Sequence, residues 1–248
     1  MRLKEFDTRA PEGLDKEEIK IELSNILTDL DELQNLMYAE GKHSLLVVIQ
    51  GMDASGKDGL IRDVFTSMNP QGLNVTSFKS PTKEELAHDF LWRIHQHTPP
   101  KGMIHIFNRS HYEDILITRV HDMIDDKTAH KRMDDINNFE KLLTENNTHI
   151  LKFYLHVSHE KQLSRLEERL SVPEKMWKYN QEDFTESKLW DEYMLAYNDV
   201  FNECNDVPWH IIPADQNWYK SYMIAKTIKK TLEGLKMKFP GLKKQLQK

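Results

Sequence analysis

The chain has 248 residues, a formal net charge of −6, 39% hydrophobic and 30% charged residues, and one cysteine. This length suits a single α/β domain with one full core; the acidic balance argues against a general nucleic-acid binder, and no apolar run approaches the ~18 residues of a membrane span. The lone Cys204 rules out an intrachain disulfide and agrees with a reducing cytoplasm, and the opening MRLKEFDTRAPEG lacks the apolar core of a secretory signal.

In chain order, Asp15 and Glu18 resemble a capping box and Gly41 a helix stop. Between them Ile19, Leu23, Ile26, Leu30, Leu33 and Met37 alternate spacings of four and three. That predicts one apolar stripe on a helix of about seven turns. The stripe suits docking on the rest of the chain, with pairing to another subunit as the alternative. Residues 45–49, LLVVI, read as a short buried parallel strand. A helix follows from Asp58, with Leu60, Ile61 and Val64 on one side. Asn69-Pro70-Gln71-Gly72 is a turn, residues 73–79 are a second strand, and Ser80-Pro81-Thr82 opens a helix expected to run to about His97. A third strand over residues 103–107 leads into helical material through about Asn147, broken near Asp125. Residues 150–157 form a fourth strand, Ser158 caps a helix over 160–170, residues 207–212 are a fifth strand, and the last helix begins near Asn217. This alternation predicts a five-stranded parallel sheet covered by helices on both faces. Cys204 falls in a helical stretch as an inert small residue. The lysines crowding residues 220–248 read as a solvated helix face and tail, or as a patch attracting polyanions.

Between the first strand and its helix, residues 51–57 fit G-x-x-x-x-G-K, in the strand–loop–helix context that a phosphate-binding loop needs. Gly51 and Gly56 let successive N–H groups turn toward an anion, the helix adds its positive end, and Lys57 adds a full charge. Asp58 stands where the ordinary pattern has a hydroxyl for Mg²⁺. Asp53 sits inside the loop, where it would repel phosphate unless a cation stood between them. Asp53 is therefore expected to help hold Mg²⁺, which takes one or two carboxylates with phosphate oxygens. The alternative is an Asx-type bond that stabilises the turn.

A second constellation, HIFNRSHYED at residues 105–114, follows the third strand, where open α/β sheets place ligands. Arg109 suits phosphate oxygens, and Glu113 and Asp114 suit a metal or a proton. A structural Arg109–Glu113 ion pair is the plainer alternative. In a third, RLEERLSVPEKMWK at residues 165–178, Arg165 and Arg169 share a helix face and Lys175 and Lys178 follow Pro173. This reads either as a lid closing cations over a transferring group or, with acids interleaved in similar number, as a salt-bridged surface helix. The histidines, His95 with His97 and His105 with His111 among them, have no third ligand at zinc-like spacing.

Taken together, these stretches resemble the polyphosphate kinase 2 family. GMDASGKDG is similar to its phosphate loop, FNRSHYEDIL to its second motif, RLEERLSVPEKMWKYNQEDFTESKLWDEY to its lid module, and IIPADQNWY to the segment before its last helix. The likeness extends over about residues 14–236. It implies a P-loop kinase fold in residues 44–236 with a helical lid at about 165–188, an N-terminal helical extension at 1–43 and a basic tail at 237–248. It further implies Mg²⁺-dependent phosphoryl transfer between inorganic polyphosphate and a nucleotide. By position it implies Asp53, Lys57, Arg109, Glu113 and Asp114 as the catalytic set, with Asp53 and Asp114 toward Mg²⁺. It also places Gly51, Ala54, Ser55, Gly56, Lys57, Asp58, Lys79, Arg109, Arg165, Arg169, Lys175 and Lys178 on phosphate or nucleotide.

Asn108, where many members have Asp, and the Glu113-Asp114 pair are similar to the subgroup that phosphorylates both nucleoside mono- and diphosphates. The expected partners are polyphosphate, AMP, ADP and ATP, with guanine nucleotides as further candidates and neither nucleic acid nor membrane. A cytoplasmic homo-oligomer, dimer or tetramer, is expected. One rival is an ATP-dependent nucleoside monophosphate or nucleoside kinase, which favours Ser or Thr at position 58. Another is a nucleotide-binding regulatory protein without turnover, which the paired carboxylates and cationic lid argue against.

Overall fold

The structure, a computed structural model, describes residues 2–241. Its strands are β1 (Ser44–Gln50), β2 (Leu73–Ser77), β3 (Ile104–Asn108), β4 (Thr148–His156) and β5 (Trp209–Pro213). Among the described residues these five pair wholly in parallel, in the order β2-β3-β1-β4-β5. β1 is buried along its whole length between β3 and β4, which is why it reads as an unbroken apolar run. β2, at the edge, leaves Asn74, Val75 and Ser77 exposed. The register sets Ile49 beside Asn108 and Gln50 beside Tyr154, so the segments leaving β1, β3 and β4 emerge level at one end of the sheet. That end holds the site.

The helices are α1 (Lys16–Glu40), α2 (Lys57–Phe65), α3 (Trp92–His95), α4 (Glu113–Val120), α5 (Asp126–Glu145), α6 (His159–Ser171), α7 (Pro173–Met176), α8 (Gln181–Glu186), α9 (Trp190–Glu203) and α10 (Asn217–Gly234). The Asp15 carboxylate accepts from Glu17 N at 2.7 Å and Glu18 N at 3.0 Å, and Gly41 ends α1 at φ 64°. Ile26, Leu30 and Met37 are buried where α1 packs on α10, each contributing roughly 1.5–3 kcal/mol. The stripe docks within the chain. Glu22 receives Tyr222 and Lys226, and Asp29 receives Lys229, along its polar edge.

The single helix expected from residue 80 to about His97 is not formed. Thr82 and Glu85 do make the reciprocal bonds of a capping box, at 2.6 and 3.2 Å, but only a 3₁₀ turn, Glu85–Ala87, follows. His88 is extended, and α3 starts anew after Asp89 accepts from Leu91 N. Arg93 is the cause. Its buried guanidinium reaches Lys79 O at 2.8 Å and Asp114 at 3.2 Å, tertiary bonds that override local propensity.

Cys204, at the end of α9, is buried, and burial pushes its thiol up to about 12, as an inert residue requires. The reading of the lysines from residue 220 onward as a solvated face fails at its first member, since Lys220 is 1% exposed. Residues 242–248 of the expected basic tail lie outside the described residues. Among the described residues, no helix is long and apolar enough to cross a membrane.

Candidate active site

After β1 the backbone turns through Gly51 (φ 152°), Ala54 (φ 59°) and Gly56 (φ 93°) into α2. A Cβ on Gly51 would lie 2.9 Å from Ser55 Oγ and 3.1 Å from Leu155 O, so the position demands glycine. Lys57 opens α2 with its Nζ 2.7 Å from Gly51 O and 3.1 Å from Met52 O. Burial, aided by Arg109, lowers its pKa to about 8 against the pull of Asp53, Glu113 and Asp58. Asp58, exposed on the first turn, accepts from Asn108 Nδ2 at 2.8 Å and lies 3.7 Å from Lys178 Nζ. The two departures from the usual patterns, at positions 58 and 108, are thus bonded to each other. An Asp at 108 would set two carboxylates face to face.

β3 delivers the second motif. Arg109 has φ 62°, an uncommon conformation for a side-chain-bearing residue, fixed by its N–H bond to Ile49 O at 3.1 Å. Its guanidinium pairs with Asp53 and stands 3.7 Å from Glu113. Burial opposes its charge, but Glu113 and Asp53 together hold its pKa above the usual range. Glu113 is partly buried, and desolvation raises its pKa despite Arg109 and Lys57. The Gln50 amide, in the orientation that satisfies its neighbours, donates to Glu113 at 3.0 Å.

Asp114 faces elsewhere. Its Oδ2 accepts from Arg93 at 3.2 Å, and burial raises its pKa against Arg93 and Arg132. Successive helix residues diverge by about 100°, so α4 cannot aim both acids at one point. Of the expected metal pair Asp53 and Asp114, Asp114 is bonded to Arg93, and the acid that shares Arg109 with Asp53 is Glu113.

The segment expected to form a lid, residues 165–188, takes in most of α6, then α7 and α8. Arg165, expected to face the substrate, instead donates from Nη1 to Ala54 O and Ser55 O at 3.1 Å and from Nη2 to Ala214 O at 2.9 Å and Asp215 O at 3.1 Å. It is built into the back of the loop. Arg169 pairs with Asp183 and donates to Lys178 O, and Lys175 lies 2.5 Å from Glu168. Lys178, resting 5.0 Å over the Trp177 ring, reaches across to Asp58. Lys79 is exposed just past β2.

Sequence reasoning missed Gln162, whose Nε2 donates to Asp53 O at 3.1 Å, as well as Arg93 and Lys220. For Lys220 a signal existed: it stands four residues before Ile224, in step with Ile228 and Leu232 on the buried face of α10. Asp53 and Glu113 fit Mg²⁺ that arrives with phosphate oxygens. Among the described residues, no cluster of three or more His, Cys, Asp or Glu forms a self-sufficient cation site.

A phosphate loop on a central parallel strand, flanked by Arg109 and crossed by Lys178 from a helical lid, is the working end of a P-loop kinase. The chain belongs to the polyphosphate kinase 2 (PPK2) family, whose model matches residues 13–240. It is 47% identical over 243 residues to the AMP/ADP-polyphosphate phosphotransferase of Meiothermus ruber, covering 96% of this chain and 91% of that one. The ADP-polyphosphate phosphotransferase of Rhodopseudomonas palustris is 43% identical over 225 residues, with 85% and 78% covered. The crystal structure of polyphosphate kinase 2 from Arthrobacter aurescens TC1 matches with TM-score 0.95 and 39% identity, over 98% of this chain and 88% of that one.

Proposed function

We propose that this protein transfers phosphoryl groups reversibly from inorganic polyphosphate to AMP and ADP, assisted by Mg²⁺. The observation that carries the reading is a continuous band of charge. It runs from Glu113 through Arg109 and Asp53 onto the loop, and from Asp58 to Lys178 of the lid. Within it Arg109 and Lys178, with Lys57 of the loop, are the cations that a polyphosphate chain calls for, and the carboxylates Asp53, Glu113 and Asp58 hold them in place until phosphate and Mg²⁺ arrive. The relatives' names support the donor and both acceptors.

A terminal phosphate oxygen of the nucleotide attacks the end phosphorus of the chain, and the bridging P–O bond breaks. The shortened polyphosphate leaves as the anion. Lys57 and Arg109 neutralise charge on the group in flight. The acceptor oxygen is already ionised, so Glu113 and Asp114 are not required as bases. Bound Mg²⁺ would be held by Asp53 with phosphate oxygens and supplies charge neutralisation; Asp114 orients Arg93. Glu113, near Asn108, is the residue to which we attach acceptance of both AMP and ADP. The catalytic unit is residues 44–236 with the lid at 165–188. A cytoplasmic site, supported by the lone buried Cys204, completes the reading, with a homo-oligomer and guanine nucleotides as further acceptors resting on the family resemblance.

The test is to incubate the protein with Mg²⁺ and polyphosphate, adding AMP, ADP, GMP or GDP singly, and to resolve the products. ADP and ATP formed without added ATP are expected. Inertness with polyphosphate, alongside ATP-driven phosphorylation of AMP, would establish the ATP-dependent kinase instead.

A further inference from the structure

Each carbonyl of the phosphate loop accepts from a side chain. Lys57 holds those of Gly51 and Met52, Gln162 that of Asp53, and Arg165 those of Ala54 and Ser55. Lys220 of α10 holds Gly56 O at 3.1 Å and Ser55 O at 3.4 Å, and is itself steadied by Asn217 Oδ1 at 3.1 Å. In a trans peptide the carbonyl of one residue and the N–H of the next point in opposite directions. Drawing the oxygens of Ser55 and Gly56 backward therefore turns the N–H groups of Gly56 and Lys57 forward, toward an anion in the loop.

The chemistry of Lys220 is not what packing alone would select. The other lysine fully buried among the described residues, Lys152, lies 2.7 Å from the Glu140 carboxylate. Lys220 contacts only carbonyls and an amide oxygen among the described residues, so its charge is buried without an acid partner, a costly arrangement. Burial, then Arg165 and Lys57, lower its pKa to about 7, with Asp63 opposing. It also packs closely: a Cβ on Gly56 would come within 2.5 Å of its Nζ.

We propose that Lys220 is a positioning residue of the phosphate loop, holding the carbonyls of Ser55 and Gly56 so that the N–H groups of Gly56 and Lys57 face the phosphate in transfer. The role rests on the phosphotransfer reading above. It adds a part that acts from behind the loop without touching substrate.

Lys220→Met tests it. The variant folds with a melting temperature at or above that of the wild type, since an unpaired buried charge is gone. It loses about tenfold or more in kcat/KM for polyphosphate, and inorganic tripolyphosphate with Mg²⁺ raises its melting temperature less. The ratio of wild-type to variant kcat/KM shrinks from about pH 6 to about pH 9 as the free enzyme's Lys220 loses its proton. Lys57 and Lys220 repel each other, so Lys57 also titrates differently in the variant; tripolyphosphate stabilisation at about pH 6, where both lysines carry their charge, is the readout that isolates Lys220. Should Lys220→Met not fold, Lys220→Gln carries the same comparison. Tripolyphosphate stabilisation equal to wild type, kcat/KM within about twofold, or a ratio flat across pH overturns the role. Tripolyphosphate binding reads the loop whatever the donor, so a wild type inert with polyphosphate counts against the phosphotransfer reading and not against this one.

Discussion

The phosphate loop and the segment read as a lid hold their cations in opposite ways. In the loop, buried Lys57 and Lys220 and the partly buried Arg165 are bonded to backbone carbonyls. In the lid, Arg169, Lys175 and Lys178 are matched to Asp183, Glu168 and Asp58. Carbonyl partners fix geometry and leave net positive charge. Acid partners cancel charge, and the more exposed pairs, Lys175–Glu168 and Lys178–Asp58, contribute only about 0–1 kcal/mol each, whereas Arg169–Asp183 is mostly buried. The loop is thus organised before substrate arrives, whereas Lys175 and Lys178 can exchange an acid for a phosphate at small cost. This suits a polymeric donor that must advance one unit per turnover.

The sharpest way to break this contrast is at the loop. Lys57→Ala should lower kcat by roughly 10²–10³-fold or more, several kcal/mol of charge stabilisation. Asp53→Asn should abolish the Mg²⁺-assisted reaction with little change in melting temperature; near-normal activity across Mg²⁺ concentrations would contradict the metal assignment. A smaller effect is expected on the alkaline side, where kcat/KM should fall as Lys57 loses its charge through about pH 8. The lid should respond least. Arg169→Ala and Lys178→Ala should weaken use of polyphosphate by about tenfold, roughly 1.4 kcal/mol, and Lys175→Ala by less, because Lys175 is turned to Glu168. Added salt should depress the wild-type reaction. Salt-insensitive use of polyphosphate, with wild-type behaviour in the lid variants, would leave a salt-bridged surface helix.

What the sequence disclosed follows the same division. β1, the loop and α2 are contiguous, so their strand run, glycines and lysine could be read directly. That Asp53, Arg109 and Glu113 would meet was legible, since each motif follows a parallel strand of one sheet. Other distant contacts were not legible. Arg165 meets the loop across 110 positions and Lys220 across 164; the apolar stripe of α10 marks Lys220 as buried, but no local pattern announces the carbonyls it meets. The broken helix before β3 failed for a like reason, because Arg93 answers to Asp114 and Lys79 rather than to its own helix.

The measurement that bears most directly on the account is a time course from AMP with excess polyphosphate and Mg²⁺. ADP should appear first and ATP afterwards, through one site, and Glu113→Ala should change the ratio of the two steps. An enzyme inert toward AMP, or a reaction that stops cleanly at ADP, would contradict it.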